Sequence, residues 1–102
     1  MAAPKPPDWP PLPRSIQGLS GPIRVLRPVR LKDGNEGLWQ PHSRTISVRS
    51  TLPREYAWSV LLHELCHANE HDGGYQLLET KDLSVPDLLA SGMMHVIRHL
   101  LA

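Results

Sequence analysis

Trp58-Ser-Val-Leu-Leu-His-Glu-Leu-Cys-His-Ala68 is the stretch on which the fold turns. Trp58, Leu61, Leu62 and Leu65 recur at helical spacing and predict a helix with one apolar face. Pro53 suits the first turn of that helix, where a missing N–H costs nothing, and Asp72-Gly73-Gly74 is a break that closes it. The helix is therefore expected from Pro53 to about Asn69. Within it, His63-Glu64-Leu65-Cys66-His67 fits the pattern H-E-x-x-H. Residues i and i+4 lie one turn apart on one face, so both imidazoles can reach a single metal ion. Glu64 sits about 100° round the helix from His63. From there it can take a proton from water that the metal acidifies, without itself occupying the metal. A pattern this short also arises by chance, and on a bare surface helix it is two solvated histidines. A helix that follows a strand and is apolar on its other side is the context that the metal chemistry requires.

Upstream, Arg44-Thr-Ile-Ser-Val-Arg49 alternates, with Ile46 and Val48 on one side and Thr45, Ser47 and Arg49 on the other. Gly37-Leu-Trp-Gln40 reads as its partner in a hairpin through Pro41-His42-Ser43, with His42 a turn residue. Ile23-Arg-Val-Leu-Arg27 is a shorter strand, which Pro28 either ends or confines to an edge. Gly18–Pro22 and Lys32–Asn35 carry turn residues. Downstream, Ser84 and Asp87 make a capping box with Pro86 inside the first turn. Val85, Leu88, Leu89, Gly92, Val96 and Leu100 then recur as a second helix, in which Gly92 permits close approach to a neighbour. The fold class expected is α+β: a small antiparallel sheet packed on the H-E-x-x-H helix and a C-terminal closing helix.

The 102 residues are enough for one domain. Pro4, Pro6, Pro7, Pro10, Pro11 and Pro13 crowd the start, so residues 1–17 are expected to form a disordered arm and residues 18–102 the domain. Trp9 lies in that arm and is at most a docking anchor. A folded part of roughly 80 residues has a marginal core, which a bound metal would strengthen. Net charge is +1, but unevenly placed. Lys5, Arg14, Arg24, Arg27, Arg30, Lys32, Arg44, Arg49 and Arg54 face only Asp8, Asp33 and Glu36 in the first half, and the acids gather in the second. An arginine-rich half can meet nucleic acid; more plainly, it is a solvated sheet face balancing acidic helices. The single cysteine, Cys66, excludes an internal disulfide and fits a reducing compartment; it reads as a small buried residue. No signal peptide and no membrane-length apolar run is visible, so a cytoplasmic protein without a membrane partner is expected.

Around the motif, residues 58–68 resemble the active-site helix of small intracellular metallopeptidases of the zincin kind. Gly37-Leu-Trp39 and Arg44-Thr-Ile-Ser-Val48 resemble their edge hairpin. Leu88-Leu-Ala-Ser-Gly-Met-Met-His-Val-Ile97 resembles the closing helix of minimal zincins found in phages and bacteria, related to the ImmA/IrrE group. The likeness spans about residues 23–101, and only H-E-x-x-H is sharply specific. It implies a Zn²⁺ cofactor, a protein or peptide substrate, ligands His63 and His67, and Glu64 as general base. It also implies an acidic third ligand near the start of the closing helix. Asp82 is the first candidate and Glu79 the second, since Leu83 and Ser84 stand where glutamate is expected. His71-Asp72-Gly-Gly-Tyr75 is faintly similar to the distal histidine segment of SprT and WLM proteases, which makes His71 a third candidate, provided the chain bends at Asn69. On an unbroken helix His71 would stand about 12 Å from His63 at Cα. His95 and His99 share one helix face and read as solvent-facing before they read as a second metal pair. Trp39 and Trp58 read as core. A structural zinc staple without chemistry is the competing expectation, and such a site has no need of Glu64.

Overall fold

The computed structural model describes residues 9–73 and 93–94. Strands β1 (Ser15–Gly18) and β2 (Gly21–Leu26) form an antiparallel hairpin, with Gly18 opposite Gly21 and Leu19-Ser20 as the loop. Gly21 has φ 141°, which a residue with a Cβ rarely adopts. Along β2, Ile23 and Val25 are buried while Arg24 and Leu26 are exposed, so the hairpin has one inner face. The chain then makes a 3-10 turn at Lys32–Gly34 and enters β3 (Gly37–Gln40). A turn at residues 41–44, in which the Arg44 N–H donates to Pro41 O at 3.2 Å, returns it as β4 (Thr45–Val48).

The sheet is mixed, and the expectation of an antiparallel one is corrected. Strand order is β1-β2-β4-β3, and β4 runs parallel to β2, with Val25 opposite Ile46. Both hairpins are antiparallel, as local turn residues demand; the pairing between hairpins is decided by burial. All four residues of β4 are buried, including Thr45 and Ser47, so β4 takes the interior position and β3, ending in exposed Gln40, takes the edge.

Helix α1 (Arg54–Gly73) lies on one face of the sheet. Pro53 precedes it and accepts the first helical bond, from the Ala57 N–H at 2.7 Å. Ala57, Leu61 and Ala68 meet Ile23, Val25, Ile46 and Val48 in the main core. The two alanines let the helix approach the sheet closely, and Leu61 and Ile46 are fully buried, each contributing roughly 1.5–3 kcal/mol by removal from water. The helix continues past Asn69 to Gly73 without the bend that a ligand role for His71 requires.

A second cluster corrects the extent of the arm. Trp9 is 4% exposed and packs with Leu62, Met94 and Trp58, its ring centroid 6.3 Å from that of Trp58. Arg54 Nη1 donates to Trp9 O at 3.1 Å, and Trp58 Nε1 donates to Pro10 O at 2.7 Å. The segment meets the helix side chains through the Trp9 and Pro10 carbonyls, and a proline loses its N–H but keeps its C=O. Residues 9–17, expected in a disordered arm, thus belong to the fold, the last three as part of β1. The closing helix expected from Ser84 lies outside the described residues except Met93–Met94, which are helical.

The far end of α1 is tied to the first hairpin. Arg44 donates to both carboxylate oxygens of Asp72, at 2.7 and 2.9 Å, and also to Gly21 O and Pro22 O. Asp72 accepts the Ser20 N–H at 3.1 Å, and Asn69 accepts the Leu19 N–H at 3.3 Å.

Candidate metal centre

Three stripes of α1 have different neighbours. Ala57, Leu61, Glu64 and Ala68, spaced i, i+4, i+7 and i+11, share the side that meets the sheet. Trp58, Leu62 and Leu65 meet the Trp9 cluster. His63 and His67 share a third stripe, on the flank of the sheet-facing side away from the Trp9 cluster, and are partly exposed. Their Nε2 atoms are 3.2 Å apart and their ring centroids 4.9 Å, edge to face.

That separation suits a shared ion. Two Zn–N bonds of about 2.0–2.1 Å at a tetrahedral angle span about 3.3 Å between nitrogens. The pair therefore fits the two-histidine half of a zinc site. Among the described residues no group of three His, Cys, Asp or Glu side chains gathers to complete it. Asp82 and Glu79 lie outside the described residues. His71 is exposed and one turn further along, with its ring 6.2 Å from that of Trp39 in an edge contact.

Glu64 is half-buried where α1 passes under β3. Burial pushes its carboxyl above the usual range; the imidazoles of His63 and His67 and the backbone N–H of Trp39 pull in the opposite direction without cancelling it. The Trp39 N–H is available because of strand register. The Arg49 N–H donates to Glu36 O, so Leu38 and Gln40 turn their amide groups to β4, and Gly37 and Trp39 turn theirs to the open edge. Gly37 makes the close approach possible: a Cβ there would lie 2.5 Å from Val60 Cγ1 and 3.2 Å from Glu64 Cγ. The need for glycine at this position, and the role of β3 as the edge over Glu64, are not visible without the packing.

Cys66 is 7% exposed and burial raises its thiol pKa, which fits an inert core residue. Trp39 and Trp58 are half-buried against the main core. His42 is exposed in the β3–β4 turn. His95 and His99 lie outside the described residues. Glu70, which the motif does not single out, is 3% exposed, with Oε2 4.0 Å from His67 Nδ1. Its only sequence mark is a position one turn after the second histidine.

Among the described residues no helix is long and apolar enough to cross a membrane. In comparison with known proteins, the chain matches no family model, no curated protein and no solved structure.

Proposed function

We propose that this chain is a zinc-dependent metallopeptidase, with His63 and His67 as ligands, an acid from beyond Gly73 as the third, and Glu64 as general base. The observation that carries it is the convergence of the two Nε2 atoms at 3.2 Å beside a half-buried carboxylate at a sheet edge. Asp82, then Glu79, is the acid proposed, because α1 carries His71 straight on instead of back to the pair. When bound, Zn²⁺ supplies the Lewis acidity that makes water a nucleophile near neutral pH. Glu64 takes the proton of the attacking water and passes it to the leaving amine. A substrate in extended form would pair with the outward N–H and C=O of Gly37 on the open edge of β3, beside Glu64.

The test is metal analysis with peptide hydrolysis on one preparation. Wild type is expected to hold about one zinc per chain, and His67→Ala to hold none. Glu64→Gln keeps size and removes basicity, so zinc content should persist while hydrolysis drops roughly 10²–10⁴-fold. Hydrolysis by Glu64→Gln at the wild-type rate ends the catalytic assignment; a metal-free wild type, purified without chelator, ends the zinc assignment.

A second reading, a binding module for nucleic acid, is favoured by one observation. Arg14, Arg24 and Arg27 line adjoining hollows along β2, and no carboxylate of the described residues lines either. Among the described residues Arg27 donates to the neutral Val48 and Arg49 carbonyls and to no carboxylate. On this reading an oligonucleotide binds with an affinity that falls steeply with salt, and Arg14→Ser with Arg24→Ser flattens that slope. No binding at low salt removes it.

A further inference from the structure

Glu70 is a buried carboxylate that the hydrolytic scheme does not use. Its side chain is 1% exposed, one helical turn beyond His67. Burying a carboxylate is costly without hydrogen-bonding partners, so its surroundings define what it does. The His67 ring is bracketed: Nε2 faces His63 Nε2 at 3.2 Å, and Nδ1 faces Glu70 Oε2 at 4.0 Å. Glu70 thus addresses the ring edge opposite to the one shared with His63. In this arrangement it does not complete the donor set; it stands behind one donor.

We propose that Glu70 is a positioning residue that holds His67 in the Nδ1–H tautomer, leaving the Nε2 lone pair directed at the metal position. The inference rests on the zinc reading above. A neutral imidazole has one N–H and one lone pair, and an ionised carboxylate only accepts. A carboxylate on the Nδ1 side therefore selects the tautomer whose proton is on Nδ1, and Nε2 becomes the ligand atom. At 4.0 Å the carboxylate is within ion-pair range of Nδ1 but beyond a hydrogen bond, so it acts on the ring through its charge. Carboxylates in this position orient the ring and strengthen its donor nitrogen, and their loss typically lowers metal affinity about 10–100-fold.

Two measurements on the full chain test it. Nitrogen-15 correlation spectra of the histidine rings in the metal-free protein report which nitrogen carries the proton. Zinc affinity is then read by competition with a chromophoric chelator. Wild type is expected to show His67 protonated on Nδ1, and Glu70→Ala to show a mixture. Affinity in Glu70→Ala should fall roughly 10–100-fold. Glu70→Gln, nearly the same size and still an acceptor, should keep the tautomer and recover part of the affinity. If Glu70→Ala does not fold, Glu70→Gln carries the test: affinity equal to wild type overturns the proposal, and a several-fold loss with unchanged circular dichroism supports it. An Nε2–H tautomer in wild type, or full affinity in Glu70→Ala, also overturns it. A wild type that binds no zinc fails the metallopeptidase reading instead, and the tautomer spectrum, which needs no metal, tells the two failures apart.

Discussion

Arg44 grips Asp72 through two hydrogen bonds, and this pair with the Ser20 amide holds the Asp72 carboxyl down to about 2. A carboxyl depressed in the folded state adds stability that is full above its unfolded pKa, near 3.9, and is lost as pH falls through the folded value. The melting temperature of the wild type should therefore decline between about pH 4 and pH 2, and Asp72→Asn should decline less over that window. Equal slopes in thermal melts at those pH values would show that the pair contributes no proton linkage. At this scale the sequence is informative where chemistry is local. His63, Glu64 and His67 sit on one helix, so their spacing alone specifies their geometry. Arg44 and Asp72 were legible only as the first residue of a strand and a helix terminator, because the contact joins segments 28 residues apart. Glu70 escapes notice for another reason: an exposed helical glutamate and a buried one look the same in sequence.

Gly37 governs how β3 lies on α1. The Cβ of an alanine there would press on Val60 Cγ1 at 2.5 Å and on Glu64 Cγ at 3.2 Å. Gly37→Ala should cost about 1–3 kcal/mol through overpacking, measured by urea unfolding. The loss should be partly reversed in Gly37→Ala with Val60→Ala, since the second change removes the struck methyl group. A single mutant within a few tenths of a kcal/mol of wild type would mean that the strand shifts freely. Elements are legible to the extent that their determinants are local. β3, β4, the turn between them and the start of α1 follow from alternation, turn residues and Pro53. β1 does not, because Ser15–Gly18 is short, half-exposed and preceded by prolines. The order of strands does not either: Thr45 and Ser47 look like an outward face, yet both are buried, and that burial is what sets β4 between β2 and β3.

Taken whole, the molecule draws on its proline-rich beginning. Trp9 fills the space beside Trp58, Leu62 and Met94, and two side chains of α1 donate to backbone carbonyls of Trp9 and Pro10. Trp9→Ala is expected to cost about 3–5 kcal/mol, a large share of the total stability of a domain this size. Deletion through Pro13 should lower the urea midpoint at least as much. An unchanged midpoint in the truncated chain would mean that this packing adds nothing. Composition misjudged the segment because prolines report what a backbone cannot donate, and say nothing of carbonyls or of one large ring.

The bonds from Leu19 and Ser20 to Asn69 and Asp72 span 50 and 52 residues. Their consequence is one of timing. Contacts that close so long a stretch of chain form only after its ends have found each other, and topologies built on them fold slowly. On a ribosome the first hairpin emerges well before the end of α1 exists, and β4, the strand that β2 must pair with, also arrives after it. The nascent hairpin therefore waits with an open edge and an exposed apolar face, the condition in which chains associate with one another. Synthesis, more than the finished fold, is the stage at which this small domain is most vulnerable.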